Sequence, residues 1–308
     1  MSNLSLTLKS PKPHKKLKLS RVITYTILIV YAILVMAPFA VLVVTSFTPD
    51  VDYETAHGYV WWPKHFTLDG YKMLFLDDAF MMQREDGIPT ILLGFLNMLW
   101  MTLIPLVSGL TQSLLVAYCY SKWRFPGKNT LFMITISLMF IPLGAFSFVS
   151  YMFYNNVLGW THGWQAVLPI MLPGMFASAG TVFFLRPYID GIGGEIVEAA
   201  KIDGMGFWAI FKNIVIPLAK PALIAQFIFG FVGGYNNYTG ALLYLKEEDS
   251  LWTLQIAMQE LINYSADWGG DYGFRCATTL MAMLPLIIVF LLCQKHFIEG
   301  ISFGGGKE

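Results

Sequence analysis

Charge is what this sequence has least of. Only 13% of its 308 residues are Asp, Glu, Lys or Arg, where a soluble domain carries about a quarter. Hydrophobic residues make up 56%. The missing charge is concentrated in six stretches, 22–47, 91–119, 131–154, 167–185, 221–245 and 276–294, which contain none of those four residue types. A helix needs about 20 apolar residues to cross a hydrocarbon core of about 30 Å, and each stretch is long enough with some tilt. The sequence therefore predicts an all-α integral membrane protein with six transmembrane helices and excludes a large soluble domain beside them.

Other absences narrow the function. None of the six apolar cores holds an Asp, Glu, His or Arg, the groups that bind coupling ions in gradient-driven carriers. No G-x-x-x-x-G-K-[ST] phosphate loop is present; Gly304-Gly305-Gly306-Lys307 lacks the spacing and the following helix. Five scattered histidines form no metal-ligand cluster and no nucleophile–base set. No catalytic residue, metal or cofactor is expected in this chain. It reads as a conduit whose energy comes from a partner. The three cysteines, Cys119, Cys276 and Cys293, lie in or at the ends of predicted spans and read as small packing residues. The first apolar run follows a basic segment. It is too long for the core of a secretory signal, and no small-residue cleavage site follows, so it reads as a retained anchor.

A net charge of zero hides an asymmetry. With the N-terminus inside, 15 of the 20 basic residues fall in inside segments and 5 outside (Lys64, Lys72, Arg84, Lys246, Arg275). The positive-inside rule then places both termini in the cytoplasm. The layout is a basic tail at 1–21 resting against anionic lipid, a first span at 22–47 and an extracytoplasmic loop at 48–90. A five-span core at 91–294 follows, with an inside loop at 186–220, and then a cytoplasmic tail at 295–308. Asp77, Asp78, Glu85, Asp86 and the run 247–249 lean outward. Trp61, Trp62, Trp160, Trp164 and Trp268 fall near outer span ends, where indoles favour the interface. Nucleic-acid binding is not expected.

Small and kink-forming residues are frequent in the spans, among them Pro105, Gly109, Pro142, Gly144, Pro173, Gly174, Gly230, Gly233 and Gly234. Gly174 with Ser178, and Gly230 with Gly234, have the spacing that lets helices approach closely. Plain packing and a bundle that bends between two states are both compatible with this pattern.

The inside loop carries the strongest signal. It fits two short helices, 195–202 and 207–215, broken at Asp203-Gly204, with Pro217 ending the second. Ile196, Ala199, Ala200 and Ile202 give the first an apolar, small-residue face at helical spacing. Such a face suits a protein partner or the membrane surface equally. Glu198-Ala199-Ala200, three residues, Gly204, nine residues, then Ile214-Val215-Ile216-Pro217 resembles the EAA-x3-G-x9-I-x-L-P signature of binding-protein-dependent ABC importer permeases, with Ile216 in place of leucine. The resemblance implies the type I ABC importer permease fold. It also implies a coupling helix in which Glu198, Ala199, Ala200, Asp203, Gly204, Ile214 and Pro217 meet a cytoplasmic ATPase.

Phe66-Thr67-Leu68-Asp69-Gly70-Tyr71, Ala117-Tyr118 with Arg124-Phe125-Pro126-Gly127, and the tail at 298–307 resemble motifs of the carbohydrate branch, with Gly70 where asparagine is usual. The chain thus resembles the MalG-like half of a sugar permease pair in a bacterial plasma membrane. The resemblance implies a MalF-like partner permease, two copies of an ABC ATPase that binds ATP and magnesium, and an extracytoplasmic sugar-binding protein. Tyr235-Asn236-Asn237-Tyr238, a polar and aromatic insert in the fifth stretch, is the candidate substrate pathway. Interhelical hydrogen bonding is the other reading. A helix at 252–263, capped by Ser250, is expected outside. The competing functions are an importer permease for polyamine, phosphate or peptide, and an ion-coupled carrier.

Overall fold

The computed structural model describes residues 19–55, 60–76, 87–267 and 272–304. Most of the basic tail, Asp77, Asp78, Glu85, Asp86, Trp268 and the final Gly305, Gly306 and Lys307 lie outside the described residues. Within them every regular element is helical. The main helices in chain order are α1 Leu19–Ser46, α2 Asp50–Thr55, α3 Asp69–Leu76, α4 Thr90–Lys122, α5 Lys128–Leu138 and α6 Ala179–Asp190. They continue with α7 Gly194–Ile202, α8 Ile216–Tyr235, α9 Tyr238–Leu245, α10 Leu254–Asp267 and α11 Tyr272–Gly304.

Among the described residues, four uninterrupted helical runs are long and apolar enough to cross a membrane: Arg21–Ser46, Thr90–Lys122, Phe207–Tyr235 and Tyr272–Gln294. A fifth arises if Gly163–Met171 and Pro173–Asp190, bent by 44°, form one broken span. The third apolar stretch is not one helix. α5 gives way near Pro142 to a 3₁₀ turn at Leu143–Phe146, a helix at Ser147–Phe153 and a π turn at Tyr154–Leu158. Pro142 supplies no N–H and Gly144 is a weak helix former, so the run breaks where its sequence is least able to continue.

α4 is the axis of the bundle. Met98, Met101, Thr102, Pro105, Gly109, Ser113, Leu114, Ala117 and Tyr118 make a buried stripe at helical spacing along it. This stripe packs against α6, α8 and α10. α1 lies at the edge against α11, and its Ile27, Leu28, Tyr31 and Leu34 stand exposed. That arrangement suits hydrocarbon surroundings rather than water.

The bend in the fourth stretch is held by α4. Ser108 Oγ and Gln112 Nε2 donate to the Met175 carbonyl at 2.9 and 2.6 Å, and Ser113 Oγ accepts from Ser178 N at 3.0 Å. Backbone groups released by a break at membrane depth need such partners. A Cβ added at Gly109 would lie 2.5 Å from the Gly174 oxygen; one at Gly234 would lie 2.7 Å from Thr102 Cγ2. Gly109 and Gly234 are therefore packing residues here.

Two sequence expectations need correction. Pro217 does not end the second loop helix, because the run continues from Phe207 to Tyr235. A π turn at Phe211–Val215 hands the Ile216 N–H to the Phe211 carbonyl, five residues back, and Pro217 then falls in the first turn of α8, where its missing N–H costs little. The outer helix starts at Leu254 rather than Trp252. Ser250 is absorbed in a 3₁₀ turn at Asp249–Leu251, and the Asn97 amide holds the Ser250 and Trp252 carbonyls at 2.8 and 3.1 Å.

Candidate functional site

Two regions at opposite ends of α8 hold the residues singled out from the sequence. At its N-terminal end, α7 leads into a turn in which Gly204 N donates to Lys201 O and Met205 N to Ala200 O. Gly204 adopts φ +80°, with open space where a Cβ would stand. The glycine is required by left-handed backbone, not by crowding.

α7 has two faces. Val197 and Ala200, 4% and 5% exposed, join a core with Tyr118, Ile189, Ile192, Ile210 and Phe211. Ile196, Ala199 and Ile202 face outward, Ile202 at 86% exposure, flanked by exposed Glu195, Glu198 and Asp203. Ala200 is therefore a seating residue and departs from the expected partner face. Ile214 is half-buried against the same core, and Pro217 is exposed.

The seat beneath α7 is aromatic. Tyr118 lies 5.2 Å from Phe207 and 5.7 Å from Phe211, ring to ring. Trp208, not anticipated from the sequence, projects from the same surface and is exposed. The base of the loop is clasped by α4: Ser121 Oγ donates to Asp190 Oδ1 at 2.6 Å, and Lys122 Nζ donates to the Ile192 carbonyl at 2.6 Å. Arg186 sits 3.8 Å over the Phe132 ring and 3.7 Å from Asp190.

At the other end of α8 the chain breaks at Asn236 and resumes as α9. Tyr235 is buried and donates its hydroxyl to the Ala282 carbonyl, an interhelical bond. Asn236 is exposed and Tyr238 half-buried. Of the four expected pathway residues, Asn237 lines a cavity. This cavity, of about 210 Å³, lies between α4, α8, α9 and the start of α10. Its polar wall comes from Thr102, Asn237, Thr253 and Gln255, and on the α8 side Leu106 and Thr102 pack onto Gly230 and Gly234. Thr102, Thr253 and Gln255 carry no recognisable local motif, and only the fold brings them together.

Beside this end, the Asp52 carboxylate accepts from His65 N at 2.9 Å and pairs with His65 Nδ1 at 3.0 Å. These bonds hold the Asp52 carboxyl below its ordinary range. Phe66 stacks on Phe47 at 4.9 Å. A Cβ at Gly70 would lie 3.0 Å from the Gly273 backbone, which accounts for glycine where the resembled motif has asparagine.

A bundle of long apolar helices, bent at proline and glycine and carrying an exposed loop helix, fits a multi-pass membrane protein. The chain belongs to the binding-protein-dependent transport system inner membrane component family, whose model matches residues 109–302. Among curated relatives, it is 28% identical over 277 residues to the arabinooligosaccharides transport system permease protein AraQ of Halalkalibacterium halodurans, covering 90% of this chain and 92% of that one. It is also 28% identical over 257 residues to the maltose/maltodextrin transport system permease protein MalG of Escherichia coli K12, covering 80% and 83%. The fold matches a chain of a bacterial ABC transporter involved in import of the acidic polysaccharide alginate, with a TM-score of 0.76 at 21% identity, covering 94% of this chain and 100% of that one. The resemblance to carbohydrate ABC importer permeases is borne out.

Proposed function

We propose that this chain is the transmembrane permease subunit of an ATP-driven, binding-protein-dependent importer of oligosaccharides, forming half of the translocation pathway. The observation that carries the coupling role is the outward face of α7, with Ile196, Ala199 and Ile202 exposed on a helix seated by Val197 and Ala200. An exposed isoleucine on a well-packed base fits a protein cleft better than water. In this reading the face docks on a cytoplasmic ABC ATPase, present in two copies and binding ATP and magnesium itself. This chain performs no covalent chemistry. A MalF-like permease completes the pathway, and a sugar-binding protein delivers substrate from outside.

The same reading has six spans in the bacterial plasma membrane, the third and fourth of them broken, with both termini in the cytoplasm. The basic-residue asymmetry and the polysaccharide and oligosaccharide systems among its relatives support it. The test is uptake of labelled oligosaccharides into vesicles containing the four components. Wild type should require ATP and binding protein, and Gly204→Asp or Glu198→Lys should uncouple uptake while the complex still assembles. Uptake that persists without the ATPase and follows an ion gradient would overturn the proposal.

A further inference from the structure

We infer that the groove between the C-terminal half of α4 and the N-terminal half of α8 binds one anionic phospholipid of the cytoplasmic leaflet. The inference goes beyond the transport reading. It takes from it only the placement of the N-terminal end of α8 at the cytoplasmic face.

The groove has a volume of about 300 Å³. Val107, Leu110 and Leu114 form its α4 wall, and Leu223, Ile224 and Phe227 its α8 wall. Thr111 lines it too, but its hydroxyl is committed to the Val107 carbonyl at 2.7 Å. Lys220 lines the cytoplasmic end. Its side chain is exposed, and no acidic group pairs with it among the described residues.

Dimensions select the occupant. From Lys220 to Phe227, α8 advances about 10 Å. That is about two-thirds of the roughly 15 Å of hydrocarbon in one leaflet. Volume divided by length gives a cross-section of about 30 Å². A helix about 10 Å across needs more than about 75 Å². A helix can therefore lay side chains over the groove but cannot enter it, whereas one extended hydrocarbon chain can. Phe227 also lines a second apolar space, of about 400 Å³, with Leu103, Phe231 and Ile288, so a longer chain has somewhere to run.

Apolar walls beneath one unpaired amine match the two ends of a phospholipid, acyl chain below and phosphate above. A lysine near the end of a membrane helix reaches for the interface. An anionic headgroup brings no ammonium of its own to compete for the phosphate; a zwitterionic one does.

The test uses the assembled complex of permeases and ATPase in vesicles containing phosphatidylglycerol with a photoreactive diazirine on its acyl chain. A phosphatidylcholine probe with the same chain is the comparison, and crosslinks are mapped by mass spectrometry. The phosphatidylglycerol probe should label 107–114 and 220–227 about fivefold more, the preference expected from one lysine at an anionic surface. Lys220→Gln should abolish that preference. Lys212→Gln, the same charge change about two turns further into the cytoplasm, should keep it. Leu223→Trp, which keeps the charge and fills the groove, should lower labelling of 107–114 by both probes about tenfold. Equal labelling by the two probes in wild type, or an unchanged preference in Lys220→Gln, would reduce the contact to bulk lipid and overturn the site. Absence of label at 107–114 while 27–34 of α1 is labelled would mean that the partner permease covers the groove, and would overturn it too.

Orientation is checked separately with Lys212→Cys in a background whose Cys119, Cys276 and Cys293 are alanine. An impermeant maleimide should label it in inside-out vesicles and not in intact cells; the reverse would overturn the cytoplasmic leaflet. Failure of wild type to take up sugar with ATP would remove the importer reading alone, because the lipid contact does not depend on transport.

Discussion

Gly109 and Gly174 meet so closely that a Cβ on the first would come within 2.5 Å of the carbonyl oxygen of the second. The neighbouring atom is backbone, which cannot step aside as a flexible side chain can. Gly109→Ala should therefore destabilise the fold by about 1–3 kcal/mol, the usual cost of overpacking. Gly144→Ala, with open space around it, should be close to neutral. Thermal unfolding of the two variants in the same detergent distinguishes them. Equal midpoints would show that the α4 contact is looser than this distance implies.

The Met175 carbonyl gives a second prediction. It accepts from both Ser108 and Gln112, so Ser108→Ala alone should cost little. The double change with Gln112→Leu should cost about 1–2 kcal/mol, at the upper end for interhelical bonds in membranes. A double-mutant cycle on unfolding midpoints measures the coupling between the two donors.

Gly204 tests a different physical term. Its φ of +80° is left-handed, and alanine there should lose about 1–2 kcal/mol. Gly204→Asn should lose less, since asparagine tolerates that region. Gly193→Ala, at φ −50° with nothing near its Cβ, is the control. Proteolysis rates across 186–220 report the difference.

The two faces of α7 should respond oppositely. Ile202→Glu leaves the core untouched and should preserve stability while weakening ATPase association at least tenfold. Ala200→Leu, on the buried face, should instead destabilise the loop by about 1–3 kcal/mol through overpacking. Pull-down of the ATPase alongside thermal unfolding separates the two effects. Loss of stability in Ile202→Glu would place that side chain in the core and contradict the exposed face.

The Asp52–His65 pair carries a pH dependence whose sign is fixed. The bonds from His65 lower the Asp52 pKa in the folded chain. Their contribution is fully present above the ordinary carboxylate value and is lost as pH falls through the depressed one. His65→Ala should raise that acid limit toward the ordinary carboxylate range. Hydrogen exchange of the amides at 47–53 and 64–67, followed from pH 6 downward, is the readout. No change in the variant would mean that His65 does not hold Asp52 in solution.

Much of the architecture was legible because membrane helices announce themselves through missing charge, and because the 198–217 signature has fixed spacing. The small residues at 109, 174, 230 and 234 also pointed to close packing. What stayed hidden depended on contacts across the fold. Pro217 looked like a terminator because propensity cannot foresee a π turn that removes the need for its N–H. The inward aim of Ala200 depends on α7 sitting over Tyr118, and Ala199 next to it shows no compositional difference. Tyr235 and Asn237 are two residues apart and looked equivalent; one became a buried interhelical donor and the other lines the cavity. Thr253 and Gln255, more than 150 residues from Thr102 in sequence, could not be joined to it by any local pattern.

The uninterrupted path from Phe207 to Tyr235 has a mechanical consequence. Its 29 residues, at about 1.5 Å each, form a lever about 44 Å long, so a tilt of about 10° at the loop end would sweep the far end by about 7.5 Å. Gly234 and Asn237 lie at that far end, on the wall of the cavity. Had Pro217 broken the helix, the same push would have been spent as a local swivel; with the π turn in place it arrives at the wall of the cavity.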